Sequence, residues 1–129
     1  MAEFVKVDTA FNITVIPCED ESKLLDVCYE AIGNKCDIIE LVYKTLMQSP
    51  YVAIVDEESL LKDNELNMLA STLCSRNILG NILIGKVGRS KNGGEDILPL
   101  DSEDIKYVKK FVEFVKAKVE DMLKKMDSK

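Results

Sequence analysis

The chain contains no histidine. That absence excludes Ser-His-Asp and Cys-His catalysis, histidine-ligated zinc and a histidine pH switch. Hydrolysis through paired carboxylates or a lysine base stays open. Cysteine is sparse: Cys18, Cys28, Cys36 and Cys74 stand far apart, with no C-x-x-C pair. Structural zinc sites take close-spaced ligand pairs, so the expectation is four reduced, buried thiols with no metal and no other cofactor. Long hydrophobic runs are missing too. The longest, such as NILIG, fall far short of the roughly 20 residues that span a bilayer. MAEFVKVDTAFNITV carries acids where a signal peptide has a basic start, so a cytoplasmic protein with no membrane association is predicted.

What is present describes one domain. At 129 residues, with 47% hydrophobic and 31% charged side chains, the chain can bury a core and is not disordered in bulk. Its net charge of −6 is uneven: residues 1–100 carry −7 and residues 101–129 carry +1. An acidic body disfavours nonspecific nucleic-acid binding, which rests on phosphate neutralisation by Lys and Arg.

Patterning predicts the elements. FNITVI (11–16) is a β-branched strand closed by Pro17, and EDESKLLDVCYEAIG is a helix with acids in its first turn and Gly33 as its stop. CDIIELVYKTL and YVAIVD are two strands around the turn MQSP, spaced for an antiparallel pair. ELNMLASTLC is a short amphipathic helix, LGNILIGKV a strand, GRSKNGGED a glycine-rich loop, and ILPL a short edge strand. From Asp101 or Ser102 onward, Ile105, Val108, Val112, Val115, Val119, Met122 and Met126 alternate steps of three and four, with Phe111 and Leu123 widening the seam. A helix over 102–126 runs about 37 Å, against a domain span of roughly 35 Å. The segment 101–129 therefore covers the body formed by residues 1–100, or its last turns pair with another subunit. The predicted fold is α+β: an antiparallel sheet of four to five strands with two shorter helices and one long C-terminal helix, the helices packed mainly on one face.

Three motifs bear on chemistry. DEESLLKDNELN (56–67) packs five carboxylates into twelve residues, the length of an EF-hand loop. Leu60, Leu61 and Asn67 occupy positions where calcium needs an oxygen, a glycine and a glutamate, so the calcium motif fails. The stretch is expected to be a shaped turn, with Leu60 and Leu61 tucked onto the core and its acids exposed. Asp56, Glu57 and Glu58 are then the candidate partner-binding residues, or the ligands of a carboxylate-metal enzyme. Gly80-Asn-Ile-Leu-Ile-Gly85-Lys86 matches the start of a phosphate-binding loop, but spells a strand and has Val87 in place of the metal-binding hydroxyl. In and around it, Arg76, Lys86, Arg89 and Lys91 are the candidates for holding a small anionic ligand such as a cyclic nucleotide.

YVAIVDEESLLKDNELNMLASTL and ILGNILIGKV together resemble the domain of unknown function 3846 family of bacteriophages and mobile elements. The resemblance runs over residues 11–100 and rests on Asp56-Glu57-Glu58, Glu65-Leu66-Asn67 and the strand from Ile78 to Gly85. Ser59 and Glu65 stand where the family has glycine and proline. The resemblance implies a phage accessory protein and carries no catalytic residues, because the family has no established activity. The expected function is nonenzymatic binding, to a host protein as in counter-defence or to another copy through the C-terminal helix.

Overall fold

The computed structural model describes residues 2–89 and 95–127. The elements in chain order are β1 (Glu3–Val7), β2 (Ile13–Pro17), α1 (Leu24–Ile32), β3 (Ile39–Val42), β4 (Tyr51–Asp56), α2 (Met68–Cys74), β5 (Ile82–Arg89), β6 (Glu95–Leu98) and α3 (Ser102–Asp127). The class is α+β. All strand pairs are antiparallel, in the order β2-β1-β5-β4-β3, with β6 pairing the second half of β5. β3 and β4 form the expected pair, with Leu41 opposite Ile54.

Strand alternation sorts side chains to two faces. Val5, Val7, Val42, Ala53, Val55, Ile82 and Ile84 join Leu69 and Leu73 of α2 and Val108, Val112, Val115 and Val119 of α3. Phe4, Ile54 and Leu83 point the other way and meet Cys28 and Ile32 of α1. Contrary to the sequence expectation, the helices are not confined mainly to one face: α2 and α3 cover one face and α1 the opposite one, because the central strands present apolar side chains on both. The central strands are apolar on both sides, which is why YVAIVD and NILIG read as unbroken runs.

β1 went unread in the sequence; EFVKV lies between β2 and β5 and places Phe4 in one core and Val5 and Val7 in the other. Phe11 sits in the β1–β2 turn rather than in a strand, with φ at 67°. Gly33 ends α1 at φ 75°, as its position implied. α3 packs along its own sheet down to Val119 and Leu123, while Met122 and Met126 remain 62% and 68% exposed. No helix among the described residues is long and apolar enough to cross a membrane.

Gly85 explains the false phosphate-loop match. It lies inside β5, where an added Cβ would sit 3.0 Å from the Phe4 ring and 3.2 Å from the Leu98 carbonyl oxygen. The glycine admits a close approach of β6 and Phe4, and has no part in cradling an anion. Gly85→Ala is expected to lower stability by about 2 kcal/mol by overpacking, read as a lower urea midpoint with an unchanged slope.

Candidate functional site

The densest group of ionisable side chains lies where β4 and β5 meet the start of α3. Lys86 shares the α3 face of β5 with Ile82 and Ile84. Its Nζ donates to Asp104 Oδ2 at 2.6 Å and lies 3.9 Å from Asp101. The Tyr51 hydroxyl donates to Asp104 Oδ1 at 2.8 Å. Asp101 and Asp104 also exchange bonds: the Asp104 N–H donates to Asp101 Oδ1 at 2.9 Å, and the Asp101 N–H to Asp104 Oδ2 at 3.0 Å. This is a capping box with aspartate in the glutamate position. Burial pushes the Asp104 carboxyl up, but donation from Lys86, the Asp101 amide and Tyr51, with the Lys86 charge, outweighs it and holds the group at about 2. Tyr51 moves the opposite way, to about 12, through burial, its bond to Asp104 and that group's charge. A carboxylate held ionised and a phenol held protonated are poor acid and base at neutral pH. The cluster fastens α3 to the sheet.

The acidic turn departs from the sequence expectation. Asp56 is buried, at 4% exposure, whereas Leu60 and Leu61 are 76% and 83% exposed. Asp56 Oδ1 accepts the Glu58 N–H at 2.9 Å, and Oδ2 accepts Lys62 Nζ at 2.8 Å. Lys62 Nζ donates onward to the Lys35 carbonyl at 3.0 Å. Drawing Asp56 and Lys62 inward leaves the intervening 3-10 turn, Ser59–Leu61, facing solvent. Asp56 is therefore unavailable to a partner or a metal; Glu57 is exposed and Glu58 half-buried. Lys62→Met should lower the urea midpoint by stranding Asp56.

At the far end of the stretch Asn67 is fully buried. Its Oδ1 accepts the Ala70 N–H at 2.9 Å, capping α2, and its Nδ2 donates to the carbonyls of Val7 at 3.1 Å and Gly80 at 2.9 Å. One side chain ties α2, β1 and the turn before β5 together.

The candidate cations do not converge. Lys86 is committed to Asp104. Arg89 alternates with Leu83 and Gly85 onto the α1 face of β5. Arg76 pairs with Glu40 at 3.3 Å across from β3, beside an open depression of about 420 Å³ that includes Ser71, Thr72 and Asn77. There Ser71 is bonded to Ile78 and Thr72 to the Met68 carbonyl, and the C-terminal end of α2 brings partial negative charge. Lys91 lies outside the described residues.

One flank of α3 has a different character. Tyr51 stacks on Tyr107 with ring centroids 5.0 Å apart, and Tyr107 stands 6.0 Å from Phe111. Phe114 continues the line, 62% exposed, with Lys118 Nζ 5.5 Å over its ring. Tyr107, Lys110, Phe111 and Phe114 line a shallow apolar hollow of about 260 Å³. Residues 105–119 hold five lysines and one acid within a chain of net charge −6.

No family model, curated protein or solved structure matches the chain. The phage-domain resemblance thus rests on its motif residues alone, and the site is read from its own geometry. The aromatic flank was missed in the sequence, although Tyr107, Phe111, Phe114 and Lys118 step by four, three and four beside the valine seam. Among the described residues no group of three or more His, Cys, Asp or Glu is placed to hold a metal ion. The four cysteines are free and buried, as expected. Burial, followed by the neighbouring Cys18 and Cys36, pushes Cys28 to about 12, and burial takes Cys74 to about 11, so both stay as unreactive thiols.

Proposed function

We propose that this chain is a nonenzymatic binding protein of the cytoplasm that works by docking on another protein. The observation that carries this reading is the aromatic, lysine-flanked side of α3, whose centre, Phe114, stays 62% exposed beside the buried Val108–Val119 seam. Exposed aromatics beside cations are the composition of protein-binding surfaces. The grouping that most resembles an acid–base site, Lys86 with Asp104 and Tyr51, is spent on fastening that helix. The resemblance in the 56–85 region adds a setting: a phage or mobile-element accessory factor acting on a host protein. Neither an anionic-ligand role for Arg76, Lys86, Arg89 and Lys91 nor a metal role for Asp56, Glu57 and Glu58 draws support from how the described members of these sets are engaged.

The test is capture of a host protein by tagged wild-type, Phe114→Glu and Arg89→Ala chains from the same lysate, with the captured species identified and its binding then measured with purified components. The expected result is one defined partner whose affinity falls at least about tenfold in Phe114→Glu and is unchanged in Arg89→Ala. Equal capture by all three chains overturns the reading.

A further inference from the structure

The two most exposed leucines of the chain, Leu60 and Leu61, stand in an acidic segment. Residues 56–67 carry five acids and one base; Asp56 and Lys62 neutralise each other internally, which leaves Glu57, Glu58, Asp63 and Glu65 around the leucines. The α3 flank is the counterpart in both respects. It offers Tyr107, Phe111 and Phe114 as an apolar hollow, with Lys110 lining it and Lys118 over the Phe114 ring.

The two surfaces belong to one chain but do not meet within it, since both Leu60 and Phe114 stay mostly exposed. Their positions account for this. Tyr51, at the start of β4, stacks against the α3 flank, whereas Asp56, at the end of β4, opens the acidic turn. Five residue steps of strand separate them by about 17 Å, and they face opposite ends of the sheet.

We propose that the Ser59–Leu61 turn of one copy docks on the Tyr107–Phe114 flank of a second copy, so that chains associate head to tail. Leu60 and Leu61 enter the hollow, and Glu57, Glu58, Asp63 and Glu65 face Lys110, Lys118 and their neighbours. The contact is heterologous: each copy uses two different patches, and assembly continues until the rotation closes a ring or one patch is left open at each end. Because the opposed charges are exposed, salt weakens the contact. A polyanion such as nucleic acid fits this flank less well, because the rest of the chain is acidic and Lys86 is already neutralised by Asp104. The inference concerns the same α3 surface as the proposed function and names an occupant for it.

Sedimentation velocity over a concentration series at low and high salt tests the proposal, using wild type, Leu60→Ser/Leu61→Ser and Phe114→Glu, with circular dichroism confirming that both variants fold. Wild type is expected to gain mass with concentration, less so at high salt, and each variant to remain a monomer. The decisive sample is the equimolar mixture. The first variant keeps its α3 flank and the second keeps its turn, so the mixture should give a dimer and grow no further. Monomeric wild type at every concentration overturns the inference, as does a mixture that stays monomeric while wild type associates, since that indicates flank-to-flank pairing. Monomeric wild type alongside Phe114-dependent capture of a host protein defeats this inference and leaves the proposed function standing.

Discussion

Asn67→Ala is expected to cost about 3 kcal/mol of folding stability, the loss of one helix cap and of the donors to two buried carbonyls. At about 4 °C per kcal/mol for a chain of this size, the Tm falls by roughly 12 °C. The reasoning is local: the side chain is fully buried, and its three bonds go to Ala70, Val7 and Gly80, each on a different part of the fold. Alanine leaves the Val7 and Gly80 carbonyls without their amide donor and α2 without its cap. Asn67→Asp separates these effects. A carboxylate still caps Ala70, but it has no N–H for the two carbonyls and brings a buried charge against their oxygens. It should therefore be less stable than Asn67→Ala at pH 7. Its stability should recover as the pH falls, because burial raises the folded-state pKa of the new acid above its unfolded value. Denaturation midpoints for the two variants at pH 5 and pH 7 provide the check. An alanine variant that melts with the wild type removes the hub from this account.

Asp104→Asn is the second large effect. In the folded chain the carboxyl is held at about 2, against an ordinary 3.8. A depressed acid adds stability that is fully present above its unfolded pKa and is lost as the pH falls through the folded one. The gap between wild type and variant should therefore be about 2.5 kcal/mol at pH 7, from 1.36 kcal/mol per pKa unit. It should stay constant down to about pH 5 and close between 3.8 and about 2. Tyr51 gives an independent optical signal. With the Asp104 charge gone, its absorbance titration should move down from about 12. A pH-independent gap would mean that the variant acts through packing, and not through the Lys86–Asp104–Tyr51 charges.

Much of the fold was legible because its signals were periodic and long. The valine seam marked α3 to within a residue, and β-branched runs bounded by glycine and proline marked β4 and β5. β1 was not legible: EFVKV is only five residues, its partner β5 lies far along the sequence, and the DTAFN turn to its other partner β2 has no glycine or proline to announce a hairpin. The acidic turn failed for a different reason. Composition marks leucine as inward and aspartate as outward, and only the Lys62 ammonium reaching back to Asp56 reverses that order. The candidate cations shared a stretch of sequence, but a strand sends Lys86 and Arg89 to opposite faces, and Arg76 sits by β3. The aromatic flank was present in the sequence as a second stripe, hidden because the stronger seam beside it already explained the helix.

The place of β1 carries a consequence for how the chain is made. Val5 and Val7 find their partners at Ile84 and Ile82, nearly eighty residues downstream. The β1–β2 hairpin can form early and α1 can cover its Phe4 face, yet its Val5 and Val7 face has nothing to pack on until β5 follows. At roughly 5–20 residues per second that interval lasts several seconds. Closing so long a loop also slows refolding, since its entropy is lost before the contacts that offset it are made. The nascent chain thus spends its early life as a waiting hairpin with two bare valines, open to chaperones before the sheet exists to claim it.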